Sequence, residues 1–338
     1  MNSKERIMGA VSFREHDRVP VMALGRQVLM KLEGVGYTRN SLCDTEAVIR
    51  TEINGWKRFG YDVVSSRIYY PLEEDIFGAC IQESSDGFPS VGPPHVVNTP
   101  PDLDKIRGES LLTHKHILAE RKAVEGLVRE VRGELPVLGY CQGPLRLAAQ
   151  LRGLQPVMID MIDNKSFLHA LLAKTTEVSY WRARSAIQGG ATLLFIGEPL
   201  ASGNLISPAL YEEFGLPYHQ ELIRKIKEHA GVAVILHICG DTSRMIPELC
   251  RSGADILHVE KVTLKDAKAK AAGRVCLMGN IDPVNIMLKG SAREVREVAR
   301  DCLSQMKDYP GYILGPGCGL PGNTPPENIQ ALLEAVHS

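Results

Sequence analysis

Short apolar runs rich in β-branched residues alternate along the whole chain with longer stretches whose apolar positions recur at helical spacing. The short runs predict strands at Val19–Leu24, Tyr61–Ser65, Leu135–Tyr140 and Ala191–Ile196. Four more are predicted at Val232–His237, Ala254–Val259, Arg274–Gly279 and Gly311–Leu314. Runs bounded by Gly and Pro and separated by helices imply parallel strands with crossover connections. Eight of them favour a (β/α)8 TIM barrel over an open sheet. The expectation is therefore an α/β fold in a single domain, residues 1–338, opened by an N-terminal helix. One stretch breaks the alternation: Gly87, Pro89, Gly92, Pro93 and Pro94 within Gly78–Pro101 suggest a hairpin excursion outside the barrel. No internal repeat, low-complexity tract or domain linker is evident.

Helix punctuation supports this layout. Ser207-Pro208 places a good N-cap before proline at the first helical position and predicts a helix to about His229. Ser291–Glu294 and Thr324–Glu327 both fit the capping box ahead of an apolar-periodic run. Ser166 is a candidate cap for a long helix whose stripe includes Phe167, Leu171, Val178 and Trp181, and whose end is marked by Gly189-Gly190.

Composition narrows the function classes. The 338 residues are 44% hydrophobic and 23% charged, with 39 basic against 40 acidic side chains and a formal net charge of −1. With no dense basic block, neither a nucleic-acid partner nor a membrane surface is supported. No apolar run approaches the length of a membrane span. The start of the chain, Met1-Asn2-Ser3-Lys4-Glu5-Arg6, leads into mixed charged and apolar residues without a signal-peptide core. The eight cysteines are scattered, which favours reduced thiols and a cytoplasmic location. Most of them, such as Cys276, read as small buried hydrophobes.

The stretch with the most chemistry is Val234-Ile235-Leu236-His237-Ile238-Cys239-Gly240-Asp241. If His237 and Cys239 lie at a strand end, their period-2 spacing points imidazole and thiol into one space. A third soft ligand is available in Gly315-Pro316-Gly317-Cys318-Gly319. One nitrogen and two sulfurs suit zinc and leave a fourth tetrahedral position open, as in catalytic zinc sites. In a barrel, Cys318 after the eighth strand can meet the pair after the fifth at the C-terminal mouth. Glu198 follows the fourth strand, Glu260 the sixth, and Asn280 and Asp282 the seventh, while Tyr140 and Gln142 close the third. Blander readings stand beside these: a packed histidine next to a buried thiol, glycines marking a tight turn or an anion loop, Glu198 as a helix-capping carboxylate, and Asp241 as the cap of a helix near Thr242.

Several segments together resemble the uroporphyrinogen decarboxylase superfamily over nearly the whole chain. They are Arg18-Val19-Pro20-Val21, Gly143-Pro144, Ile206-Ser207-Pro208 with Phe214, Gly279-Asn280-Ile281-Asp282-Pro283, and Gly317-Cys318-Gly319 leading to Thr324-Pro325-Pro326-Glu327-Asn328. The resemblance implies a (β/α)8 barrel, in agreement with the strand count. Two chemistries compete within it. The decarboxylases carry an arginine-rich Arg-Gln-Ala-Gly-Arg motif and an aspartate that holds the pyrrole nitrogens. This chain reads Met22-Ala23-Leu24-Gly25-Arg26-Gln27 and, after Tyr61-Asp62-Val63-Val64, Ser65-Ser66-Arg67. It keeps one arginine and lacks the aspartate, and Cys318 fills the decarboxylases' C-terminal histidine position.

The zinc-dependent methylcobamide:thiol methyltransferase branch, whose members include those that methylate coenzyme M, is matched residue by residue at His237, Cys239 and Cys318. That resemblance implies Zn2+ as cofactor, methylcobamide or methylcobalamin as co-substrate, a partner corrinoid protein and a small thiol acceptor. It makes Glu260 a candidate displaceable fourth ligand and Glu198 a candidate for orienting a zinc ligand or taking the thiol proton. Tyr140, Gln142, Asn280 and Asp282 are candidate pocket residues. The alternatives are uroporphyrinogen decarboxylation, a non-thiol acceptor such as a folate, and a non-catalytic metabolite-binding barrel.

Overall fold

Seven of the eight predicted strands lie side by side in one parallel sheet in a computed structural model, which describes residues 1–23, 25–36, 44–66, 71–82, 89–229 and 231–337. The sheet contains β1 (Val64–Ser65), β4 (Val137–Gln142), β5 (Leu193–Gly197), β6 (Ala233–His237), β7 (Ile256–His258), β8 (Cys276–Ile281) and β9 (Tyr312–Pro316), paired in that order. Helices connect successive strands, so the molecule is an α/β, TIM-barrel-like fold. Leu24, Cys43, Arg67 and residues 83–88 of the excursion lie outside the described residues.

The first predicted strand needs correction. Around Val21 there is only a single bridge to Leu314. Met22 N–H donates to Leu314 O and Leu314 N–H to Pro20 O, both at 2.9 Å, while Asp62 N–H donates to Val21 O at 2.9 Å on the other side. Residues 20–22 thus lie between β9 and the entry to β1. No longer ladder forms because Pro20 has no N–H to offer and the Val21 N–H is taken by the Asp62 carboxylate at 2.8 Å. That carboxylate is fully buried and also receives Ser3 Oγ, Arg6 Nη1 and Arg18 Nη1, each at 2.7 Å. It ties the N-terminal helix (Ser3–Val11) and the Arg18–Val21 segment to the same strand end.

The excursion contains an antiparallel pair, β2 (Cys80–Gln82) with β3 (Ser90–Gly92). The helix expected from Ser207 to about His229 is two helices, Pro208–Phe214 and Leu216–Lys227, because Pro217 in the first turn of the second breaks the ladder. Ser207 caps the first through its side chain, and the capping box at Ser291 forms as expected. The box at Thr324 does not. Its hydroxyl donates to Pro321 O at 2.8 Å, and the last helix (Pro326–Glu334) starts after Pro325 without a side-chain cap. Asn164 rather than Ser166 stands at the N-cap position of the long helix (Lys165–Gln188), which ends at Gly189.

Strand periodicity sorts the core into two layers. One cluster fills the inside of the curled sheet: Val63, Leu138, Tyr140, Leu193, Phe195, Ala233, Ile235, Ile256, Cys276, Met278 and Ile313, with Ile7 and Ala10 of the N-terminal helix packed against it. The alternate residues of the same strands, such as Leu194, Ile196, Val234, Leu236 and Leu257, join the larger cluster beneath the helices. Full burial of both faces explains why these strands read as continuous apolar runs. Continuing the inward row along β6 leads from Ala233 and Ile235 to His237. Along β7 it leads from Ile256 to His258.

Candidate metal centre

His237 is the last residue of β6 and Cys239 lies two residues beyond, so both follow the inward row. Cys318 arrives from the loop after β9, three elements away in the sheet order. The three donor atoms converge: His237 Nε2 is 3.2 Å from Cys239 Sγ and 3.5 Å from Cys318 Sγ, and the two sulfurs are 3.9 Å apart. Among the described residues this is the group of His, Cys, Asp and Glu side chains close enough to hold one ion.

The triangle can be tested against metal geometry. Zinc–sulfur bonds of about 2.3 Å and zinc–nitrogen bonds of about 2.0–2.1 Å at tetrahedral angles give an S···S edge of about 3.8 Å and an S···N edge of about 3.6 Å. The observed edges fit one face of such a site. His237 is 4% exposed whereas both cysteines are half-buried, so the ligand set is anchored from below and open on the sulfur side.

The surroundings orient the donors. His237 Nδ1–H donates to the main-chain oxygen of His258 at 3.3 Å, which turns the lone pair of Nε2 toward the sulfurs. A hydrogen bond from Cys239 pulls the Cys318 thiol down to about 3, against the opposing effect of burial, and the neighbouring His237 adds to the pull. A soft anion is thereby favoured among donors that could hold a metal ion. Gly240 follows Cys239 at φ +77°, a left-handed conformation that glycine adopts at little cost. This turns its N–H onto Glu260 Oε2 at 2.6 Å. Gly317 has a different reason: a Cβ there would come within 2.8 Å of Glu260 Cα, so glycine lets the Cys318 loop close against the end of β7.

The other expected site residues are distributed around this mouth. Glu260 lies beside the cluster, with its carboxylate on the Gly240 amide. Glu198 is fully buried, and both of its oxygens are engaged: Oε2 accepts from Leu145 N–H at 2.9 Å and Oε1 from Arg146 N–H at 2.7 Å. His219 Nε2 lies 3.4 Å from Oε2. Glu198 thus caps the helix Pro144–Arg152 from a neighbouring strand end, the capping role considered as its alternative. Asp241 also has a local role, accepting from Ser243 N–H at 2.8 Å.

Tyr140 accepts from Arg146 Nη1 at 2.8 Å. Gln142 donates to Glu73 at 3.1 Å and to both oxygens of Glu74 at 2.9 Å. Asn280 donates to Val262 O. Asp282 accepts from Val284 and Asn285 N–H, each at 2.8 Å, and so braces the turn after β8. Sequence reasoning missed His258, Arg146 and the Glu73/Glu74 pair. The first was detectable, because positions 256, 258 and 260 share a face, but the acidic pair sits on a five-residue helix with no periodic signal.

Known proteins resemble this chain over most of its length. A methylcobamide:CoM methyltransferase of Methanosarcina acetivorans is 28% identical over 337 residues, covering 98% of this chain and 97% of that protein. A uroporphyrinogen decarboxylase of Nostoc punctiforme is 28% identical over 308 residues, covering 86% and 82%. A solved methyltransferase from Methanosarcina mazei superposes with a TM-score of 0.90 at 24% identity, over 100% of this chain and 98% of that one, and so has the same fold. The family profile described as Uroporphyrinogen decarboxylase (URO-D) matches residues 2–338, and the chain belongs to that family.

Proposed function

We propose that this chain moves a methyl group from a methylated corrinoid to a small thiol such as coenzyme M, at a zinc ion held by His237, Cys239 and Cys318. The observation that carries the reading is the donor triangle, whose edges of 3.2, 3.5 and 3.9 Å match one face of a tetrahedral zinc site. Similarity over almost the full length to a methylcobamide:CoM methyltransferase supports it. His237, Cys239 and Cys318 would hold the zinc, and its positive charge would make a nucleophilic thiolate available near neutral pH. The transfer forms a sulfur–carbon bond and breaks the cobalt–carbon bond, whose electron pair leaves with cobalt, while the thiol proton is released.

The protein's own groups divide the remaining work. His237 holds its tautomer through Nδ1, and the half-buried sulfurs leave the approach to the mouth open. Glu260 is assigned as a displaceable fourth ligand, a reading supported by its place beside Cys239 and Cys318. Glu198 is assigned an orienting role through the helix that carries Arg146. Tyr140 and Gln142 form the polar wall on that side, and Asn280 and Asp282 shape the opposite loop. The bulky cobamide arrives on a partner corrinoid protein at the mouth, and the lack of a disulfide among the seven described cysteines suits a cytoplasmic setting. No described helix is long and apolar enough to cross a membrane. We read the fold as a (β/α)8 barrel in one domain, with residues 20–22 in the eighth place.

Decarboxylation of a porphyrinogen is the second reading, favoured by the family profile and the Nostoc relative. The surviving arginine is unsuited to it: Arg26 is 5% exposed, and its Nη2 lies 3.1 Å from Glu52 and donates to Ser65 O inside the protein. Metal analysis combined with methylcobalamin demethylation across a panel of thiols separates the two. The expected result is one zinc per chain and thiol-dependent demethylation. Cys318→Ala should lose zinc and roughly a hundredfold or more of the activity, since one of three protein ligands is gone. A folded, zinc-free Cys318→Ala protein with full methyl transfer would refute the site, and coproporphyrinogen formed from uroporphyrinogen would install the decarboxylase.

A further inference from the structure

We propose that His258 is a positioning residue of the metal centre, one that sets the distance between the His237/Cys239 pair and Cys318. The inference rests on the metal reading above and adds a residue to it. His258 ends β7 and is 2% exposed, on the inward row directly beside His237, with ring centroids 4.4 Å apart. Phe195 packs against both rings, edge-on to His258 at 5.9 Å and tilted to His237 at 5.4 Å. The imidazole of His258 is therefore held in place from the barrel interior.

From that position the residue grips both arms of the centre. Its main-chain oxygen accepts the Nδ1–H of His237 at 3.3 Å. Its Nε2 lies 2.9 Å from the main-chain oxygen of Pro316, and since a carbonyl only accepts, Nε2 carries the proton and donates it. Pro316 is the last residue of β9, two positions before Cys318. The next peptide is fixed as well, by Gly317 N–H donating to Ile281 O at 2.7 Å. The backbone that delivers Cys318 is thus anchored on one side by β8 and on the other by the His258 side chain. Ligands 81 positions apart in sequence are brought to 3.5 Å through one intervening residue.

A side-chain substitution at 258 removes the hydrogen bond to Pro316 but keeps the one to His237, which uses the main chain. His258→Phe fills the space without a donor, whereas His258→Gln returns an N–H at a similar reach. Zinc affinity measured by competition with a chromophoric chelator should fall about 10- to 100-fold in His258→Phe and largely recover in His258→Gln. In the cobalt(II)-loaded protein, the thiolate-to-metal charge-transfer absorption should weaken in the Phe variant and return in the Gln variant. A loss of packing alone would not produce that signature.

Should His258→Phe not fold, His258→Asn, which is too short to reach Pro316, replaces it. It should then bind zinc about tenfold more weakly than His258→Gln. Equal zinc affinity and an unchanged cobalt spectrum in the donor-less variant would overturn the proposal, as would a Gln variant as weak as the donor-less one. If the unaltered protein binds neither zinc nor cobalt, it is the metal reading itself that fails.

Discussion

A single amide nitrogen, Gln142 Nε2, serves two carboxylates in the interior, Glu73 and Glu74. Burial pushes Glu74 up to about 7 from an ordinary 4.5, and the neighbouring Glu73 adds to the rise. A carboxyl raised in the folded state binds its proton more tightly there than in the unfolded chain. Its contribution is therefore fully present below about 4.5 and is lost as the pH climbs through about 7. Glu74→Gln keeps an acceptor for Gln142 and removes the charge. Urea unfolding at pH 5 and pH 8 should show that the variant escapes a loss on the order of 2 kcal/mol that the unaltered protein suffers between those values. Parallel pH dependence in both proteins would show that Glu74 titrates normally. At this scale the sequence placed Gln142 correctly at a strand end, but its partners lie 68 and 69 residues upstream and could not be paired with it.

Among the elements, the helix Pro144–Arg152 shows how a start signal can be shared between distant segments. Pro144 suits the first turn, yet Gly143 has no side chain with which to cap it. The uncapped amides of Leu145 and Arg146 are satisfied instead by Glu198 from the end of β5, where a negative charge also complements the helix dipole. Glu198→Ala should cost about 1–3 kcal/mol for each orphaned buried donor, read as a lower urea midpoint with an unchanged slope. Zinc affinity should stay within about twofold of the unaltered protein, because the metal ligands keep their own supports. A large loss of zinc without a loss of stability would instead assign Glu198 to the metal. The one weak strand has a similar origin. Val19–Leu24 has strand-like residues, but Pro20 and the Asp62 carboxylate remove the donors a ladder needs.

For the molecule as a whole, the proposed metal centre is a property of the curled sheet. Strands β6 and β9 are separated by β7 and β8 in the sheet order, yet the curvature brings the loops that follow them over one opening. A metal that binds only this folded arrangement must stabilise it. With zinc at 100 times its dissociation constant, the gain is about 2.7 kcal/mol, or a few degrees in Tm for a chain of this size. Excess chelator should reverse the shift, and Cys239→Ser or Cys318→Ser should abolish it. An unchanged melting temperature on adding and removing zinc would contradict a site built as described.

The seven sheet strands, their alternation with helices and the inward direction of His237 and Cys239 were legible in the sequence, because they follow from periodicities of two and 3.6 residues that the chain carries locally. Cys318 was readable as a candidate partner of that pair, but only the tertiary structure set the distances between the three donors and placed Glu198 on the amides of Leu145 and Arg146. It also decided that Arg26 lies against Glu52 and that the His258 side chain meets the main-chain oxygen of Pro316. The contacts around the donors depend on which strand ends the curled sheet brings together, and the Arg26–Glu52 pair on the packing of two helices. Contacts of that kind, formed across tens of residues, leave no repeating mark in the sequence from which they could be read.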